Sequence, residues 1–491
     1  SSLDSIIIVD IIVISDKLYS ENDFYGVFFL TADGGVIYFY QKDEDLFMEK
    51  NLTSGSVLKT VIYFSLPYLL SYFLQTLYGM ADLFIIGQFG GVDGTTAVSV
   101  GSQVMHMLTV MIVGLAMGAT VNIGQAIGGR DSRRAALFTG NTVTLFMGLS
   151  SVLTLLLLVL RSAIVFAVST PADAAAGTVD YLTICFIGIP FITAYNIISA
   201  VFRGMGDSKS PMYFIAVACA ANIALDYLFI GALGMGPAGA ALGTVLSQAI
   251  SVIISLIVIK RRSTGLALTK ADIRPNKQII GKILKIGVPV AMQDGFIQIA
   301  FMVITVIANR RGLNDAAAVG IVEKIIGFLF LVPSSMLSAV SALGAQNIGA
   351  QRSDRAGKTL LYAIFIAAGF GGTVAVIMQF FSRGAVSLFT DNAAVTRLGG
   401  EYLRGYAWDC LFAGIHFAFS GYFCACGKSG ISFMHNIIAI LLVRVPGSYL
   451  MSSMFPETLY PMGLATAAGS LLSAIICAAA FIILIKKEKK A

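Results

Sequence analysis

The chain has 491 residues, 57% of them hydrophobic and only 12% charged, with a mean hydropathy of +0.84. Soluble domains carry about 25% charged residues, so this composition excludes an ordinary soluble enzyme or binding module and points to a polytopic membrane protein. The net charge of +6 is what Lys/Arg-rich loops on one side of a bilayer produce, and no nucleic-acid partner is expected from it.

In chain order, residues 1–47 come first and do not fit the rest. Their apolar start, "IIIVDIIVI", contains Asp10 and lacks a basic leader, so it reads as neither a signal peptide nor a span. The first methionine is Met48, and "MEKNLTSGSVLKT" leads directly into an apolar helix. We therefore expect 1–47 to be a tag, a fusion or a misassigned start. Beyond it, stretches long enough to cross a bilayer, about 20 residues at 1.5 Å rise, fall near 61–86, 97–125, 136–160, 178–201, 211–232 and 238–259. Six more follow near 283–308, 316–345, 360–381, 400–424, 431–454 and 462–485. The predicted fold class is an all-α integral membrane protein of about twelve spans.

The basic residues set the expected orientation. With the start of the first span inside, that face carries Lys50, Lys59, Arg130, Arg133, Arg134, Arg203, Lys209, the block Lys260 to Lys285, Arg352, Arg355, Lys358, Lys428 and the "KKEKK" tail. The other face carries Arg161, Arg310, Arg311, Arg383, Arg397 and Arg404. Both termini are thus predicted to lie in the cytoplasm, with the protein in the plasma (inner) membrane.

The chain repeats itself. "QAIGGRDSRRA" at 125–135 realigns with "QNIGAQRSDRA" at 346–356, a displacement of 221 residues that also pairs Tyr181-Leu182 with Tyr402-Leu403 and Phe202, Gly206 and Ser208 with Phe423, Gly427 and Ser429. Displacements of 222 and 224 pair Pro67 with Pro289, and Pro237 and Gly239 with Pro461 and Gly463. The implied lobes are 48–265 and 266–491, six spans each, with the basic stretch 260–285 as the linker. An even number of spans per half makes the repeats parallel, an arrangement suited to alternating access between two lobes.

Function is expected where the halves differ. Asp82, in "YGMADLFIIGQF", maps to Ile304, and Asp226 maps near Gly447, so the duplicated scaffold does not require either acid. Asn222 and Asp226 are i,i+4 on one helix face. Thr244 and Asp226 lie nine residues to either side of Met235, so an antiparallel pair turning there holds them at one depth. Asp82 falls at a similar depth on its own span. An acid inside a span costs about 2.5–3.5 kcal/mol on insertion scales and is functional by default. Burial and a neighbouring carboxylate both favour binding of a proton, while carboxylate, amide and hydroxyl oxygens also suit a hard cation such as Na⁺.

With those residues in view, 48–491 resembles the multidrug and toxic compound extrusion (MATE) family. "FRGMGDSKSP" at 202–211 resembles the family's loop after the fourth helix, and "LP" at 66–67 its first helix. The match is closer to the DinF-like branch, whose first-helix aspartate, fifth-helix Asn-x-x-x-Asp and sixth-helix threonine form a cation site. The resemblance assigns those roles to Asp82, Asn222, Asp226 and Thr244, and helix bending to Pro67. It implies a secondary antiporter exporting cationic, amphipathic compounds against H⁺ or Na⁺, with a lipid-linked-precursor flippase as the alternative. The NorM-like branch carries acids on its seventh and tenth helices. Asp294 and Asp409 lie nearby at other spacings, so a cation site in the second lobe is not expected, and with Gln293 they are candidates for a substrate cavity. A channel or a non-transporting receptor is the reading from another class.

Other signals are bland. Arg444 is expected to pair with a carboxylate or carbonyls inside the second lobe. Adjacent Glu323 and Lys324 point about 100° apart and are not expected to pair with each other. His106, His416 and His435 have no ligand-like spacing and read as satisfied core or interface histidines, and Gly114–Gly118 and Gly239–Gly243 read as close helix packing. The six cysteines make no C-x-x-C pair. "GYFCACGKS" misses the phosphate-loop spacing by one residue, and neither H-E-x-x-H nor G-x-S-x-G occurs. The expectation is a monomeric transporter with no enzymatic activity and no cofactor, partnered by small molecules and the bilayer.

Overall fold

The structure, a computed structural model, describes residues 28–30, 36–38, 52–261 and 268–488. Within the first fifty residues, Phe28–Leu30 pairs antiparallel with Val36–Tyr38, Phe28 opposite Tyr38. The expectation for 1–47, these strands apart, and the middle of the linker lie outside the described residues. The remainder is a helical body in which lipid dictates the choice of structure, since a backbone in hydrocarbon must satisfy its own hydrogen bonds.

Among the described residues, ten helices and one bent pair are long and apolar enough to cross a membrane; with the long helix Ala393–Ala425 they give twelve, in two lobes. The first lobe has span 1 (Val57–Phe89), span 2 (Gly91–Gly128), span 3 (Ser132–Ala167), span 4 (Ala172–Ile187 with Ile189–Met205), span 5 (Lys209–Ala232) and span 6 (Gly236–Arg261). The second has span 7 (Lys277–Asn309), span 8 (Leu313–Gly349), span 9 (Ser353–Ser387), span 10 (Ala393–Ala425), span 11 (Ser429–Met454) and span 12 (Tyr460–Lys486). Every predicted span lies at least partly within one of these. Span 10 falls short of the apolarity that marks the others, because it carries Arg397, Glu401, Arg404 and Asp409. Much of it is enclosed by neighbouring helices, so its surroundings are protein more than lipid.

The repeat extends to backbone conformation. After span 2, Arg130 takes φ 57°, and after span 8 its counterpart Gln351 takes φ 60°. Gly206 after span 4 and Gly427 after span 10 take φ 97° and 69°, a left-handed turn that glycine enters without a Cβ penalty. Spans 5 and 11 each contain a π-helical segment, Tyr227–Ala232 and Ile440–Arg444, and such segments often mark functional sites.

The apolar clusters show how the lobes meet. One cluster draws only on the first lobe, including Ile85, Ile86, Tyr181 and Ala240, and another only on the second, including Ile304, Val322 and Tyr402. Three others mix the lobes: Phe64 and Tyr68 of span 1 with Met336 to Leu343 of span 8, Met117 and Val121 of span 2 with Ile286 and Val290 of span 7, and Ile112 and Ala116 of span 2 with Ile283 of span 7. The mixed residues come from the halves of these spans nearest the Arg130 and Arg352 loops. The lobes are therefore knitted toward that face, while toward the other each packs on itself. The G-x-x-x-G pair of span 2 serves this seam: a Cβ on Gly114 would meet Ala291 of span 7, and one on Gly118 would overlap the Ile283 carbonyl.

Candidate functional site

The first-lobe acids converge. Span 1 supplies Asp82, span 5 supplies Asn222 and Asp226, and span 6 supplies Thr244. Asp82, Asn222 and Asp226 are buried, at 3%, 0% and 0% exposure. The Thr244 hydroxyl donates to Asp82 Oδ2 at 3.2 Å, and the Asn222 and Asp226 side chains face the same carboxylate. Gly243 makes room for the cluster, since a Cβ there would overlap Asp226 Oδ1. Directly after Asp226 the helix widens into its π segment, at the depth where the acid needs space.

The polar atoms of this cluster are under-used. Asp82 Oδ1, both Asp226 oxygens and both polar atoms of Asn222 are buried and make no hydrogen bond with the protein. An unpartnered buried polar atom costs about 1–3 kcal/mol, and more when charged. Two carboxylates, an amide and a hydroxyl therefore converge with unspent acceptor capacity and no basic side chain among them. Such a set can take up a proton or a hard monovalent cation. Among the described residues there is no cluster of three or more His, Cys, Asp or Glu side chains of the kind that holds a transition metal.

The second lobe is built oppositely at the corresponding level. Ile304, the counterpart of Asp82, packs in the apolar core at 1% exposure. Arg444, at the end of the second π segment, donates to the Tyr406 hydroxyl at 2.7 Å and to Asp409 Oδ2 at 3.4 Å, with its guanidinium 5.1 Å from the Phe301 ring centroid. This carries out the pairing expected for Arg444 and names its carboxylate. Glu323 accepts from Thr305 at 3.1 and 3.2 Å and faces Arg444, not Lys324. Gly469 admits Arg444, as its own Cβ would come within 3.0 Å of Arg444 Cβ.

Of the three cavity candidates, two turn away from the seam. Asp409 is fully buried within the second lobe on Arg444. Gln293 is 1% exposed and accepts from Ser432 of span 11 at 2.6 Å. Each polar head finds its partner inside its own lobe, Asp409 on Arg444 and Gln293 on Ser432. Asp294, one residue on and so about 100° around the helix, is half-buried and faces Gly114 of span 2, across the seam. His416 and His435 are buried in the core, whereas His106 is exposed; Ser420 Oγ lies 2.9 Å from His435 Nε2, while His435 Nδ1 and His416 Nδ1 have no partner.

Sequence reasoning did not find the Thr305–Glu323 contact or the break at Gly188. Span 4 bends by 49° at that glycine, and a Cβ there would overlap Val245 of span 6. The 221-residue displacement puts Asp409 at the corresponding place. A glycine facing an aspartate across the repeat was the one available signal.

The sequence model of the MatE family matches twice, over residues 67–228 and 289–450, so each copy covers one half of the repeat. Probable multidrug resistance protein YpnP of Bacillus subtilis is 30% identical over 404 residues, covering 82% of this chain and 90% of that protein. Probable multidrug resistance protein YoeA, also of Bacillus subtilis, is 27% identical over 404 residues, 81% of this chain and 87% of that protein. Among solved structures, the outward-facing conformation of a multidrug resistance MATE family transporter of the MOP superfamily superposes with a TM-score of 0.85 at 23% identity, covering 91% of this chain and all of that one.

Proposed function

Because this chain belongs to the MatE family, we propose that it is a secondary antiporter that exports organic, cationic, amphipathic compounds in exchange for inward-moving H⁺ or Na⁺. The observation that carries the reading is the buried set Asp82, Asn222, Asp226 and Thr244, whose free oxygens converge with no basic partner. The lobes are 48–265 and 266–491, and the clustering of Lys and Arg puts both termini in the cytoplasm. The parted face then opens outward, and the protein works as a monomer in the inner membrane.

In the outward-open state, an external ion loads onto Asp82 and Asp226 and cancels part of a charge that is costly to bury. The neutralised cluster lets spans 1, 5 and 6 pack more closely, with Pro67 as the point where span 1 yields, since it lacks one helix hydrogen bond. Repacking of span 1 displaces the drug from the space between the lobes. Asp294, on the seam, attracts the cationic part of the substrate, and the methionine and aromatic side chains around it adapt to varied apolar shapes. The four-residue set favours the DinF-like branch. The names of the relatives favour multidrug export over a lipid-linked-precursor flippase.

The test is dye export from proteoliposomes under an imposed pH gradient or an imposed Na⁺ gradient, with wild type beside Asp82→Asn and Asp226→Asn. We expect transport under one gradient only, lost in both variants. Gradient-driven transport that survives in both would remove the coupling role from this cluster.

A further inference from the structure

The sequence repeat singled out Gln125 and Gln346, and the antiport reading leaves both unused. Each donates across the boundary between lobes. Gln125 Nε2, near the end of span 2, donates to the Ala425 carbonyl at the end of span 10 at 2.8 Å. Gln346 Nε2, near the end of span 8, donates to the Gly204 carbonyl at the end of span 4 at 2.9 Å. Donors and acceptors are both related by the same 221-residue displacement, so one contact is the pseudo-symmetric image of the other. Between them the two helices cross backbone to backbone: a Cβ on Gly128 would overlap the Gln346 carbonyl, and a Cβ on Gly349 would overlap that of Gln125.

We infer that Gln125 and Gln346 form a two-point latch that closes the protein at the Arg130/Arg352 face and must release in each transport cycle. The geometry argues for a latch over ordinary packing. A helix that only needed to pack would place an apolar residue here, whereas a glutamine amide on a helix-end carbonyl makes a directional bond. That carbonyl has no partner within its own helix, and water can take over both groups when the lobes part. The glycine crossing lets the two backbones approach closely enough to set both amides on their carbonyls. Because the two bonds are symmetric, neither lobe can swing away without breaking both.

The inference rests on the antiport reading for its direction of opening, so the test reads closure without substrate or coupling ion. In a cysteine-free background, Ser338→Cys reports on the closed seam, where Ser338 is 3% exposed and bonded to Tyr72 across the lobes. Labelling by a membrane-impermeant maleimide is followed from each face of sealed vesicles. With Gln125→Leu or Gln346→Leu, loss of one net hydrogen bond raises labelling from the cytoplasmic face about fivefold, and the double variant raises it further. Unchanged labelling in the double variant overturns the latch. Labelling that rises from the opposite face keeps the latch and overturns the orientation instead. A second measurement does not depend on the leucine variants folding. A short, reducible bifunctional reagent joining Gln125→Cys to Ala425→Cys should stop transport, and a reductant should restore it. Full transport in the linked protein overturns the proposal.

Discussion

The two lobes spend the same helical scaffold on opposite electrostatic solutions. In the first, Asp82 and Asp226 are buried with free oxygens and no basic side chain. In the second, Asp409 and Glu323 face a permanent cation, Arg444. A lobe that carries its own counter-charge keeps the same charge balance through a cycle. A lobe without one changes state whenever an ion arrives or leaves. The difference also has a steric side: Gly188 bends span 4 where the second lobe puts Asp409 on an unbroken helix.

The largest expected effect comes from removing the resident cation. Arg444→Met leaves Asp409 buried beside empty space and should destabilise the protein by about 3–5 kcal/mol, read as a fall in thermal stability in detergent. Adding Asp409→Asn should recover most of that loss. In the first lobe the sign reverses, and Asp82→Asn should hold or raise stability, because it neutralises a buried acid whose second oxygen has no partner. If Arg444→Met and Asp82→Asn moved stability in the same direction, the contrast between the lobes would fail.

A smaller effect sharpens the steric side. Gly243→Ala pushes a methyl group into the Asp226 carboxylate, and overpacking of this kind costs about 1–3 kcal/mol. Ion-coupled transport should fall well before folding does. The same change at Gly148, where a Cβ meets nothing, is the matched control.

The smallest effect lies at the membrane surface. Asp272, just before span 7, accepts from the Thr269 hydroxyl and amide at 2.7 and 2.8 Å and from Arg133 of span 3 at 2.8 Å. These contacts, the Thr269 hydroxyl foremost, hold its carboxyl below the ordinary carboxylate range. Its stabilisation is therefore complete above the unfolded value near 4 and is lost as pH falls through the lower folded value. Acid unfolding below about pH 4 should be shallower in Asp272→Asn than in wild type. Arg352 and Arg355, by contrast, donate to the backbone carbonyls of Thr53, Ser54 and Gly55, acceptors that do not titrate.

The convergence of the first-lobe cluster was legible in the sequence because its logic is local. Asn222 and Asp226 share a face by i,i+4 spacing, and one turn at Met235 fixes the depth of Thr244. Only Asp82 had to be placed by counting along another span. The second-lobe network is not local in this sense. Arg444 needed a carboxylate, but Asp409 and Glu323 lie 35 and 121 residues away, and no periodicity relates them. Gln293 and Asp294 show the limit most sharply. They are adjacent in sequence, and only the packing of span 11 on one side and span 2 on the other decides which of them meets the partner lobe.

The positive φ at Arg130 and Gln351 bears on how the repeat is built. Neither residue is glycine, and a side chain in that region carries a conformational penalty of about 1–3 kcal/mol. The two residues differ chemically, one charged and one neutral, yet the bend is the same in both copies. Shape at this turn is shared by the two copies although the amino acid that makes it is not, so what the repeat keeps here is a backbone requirement and not a side-chain one.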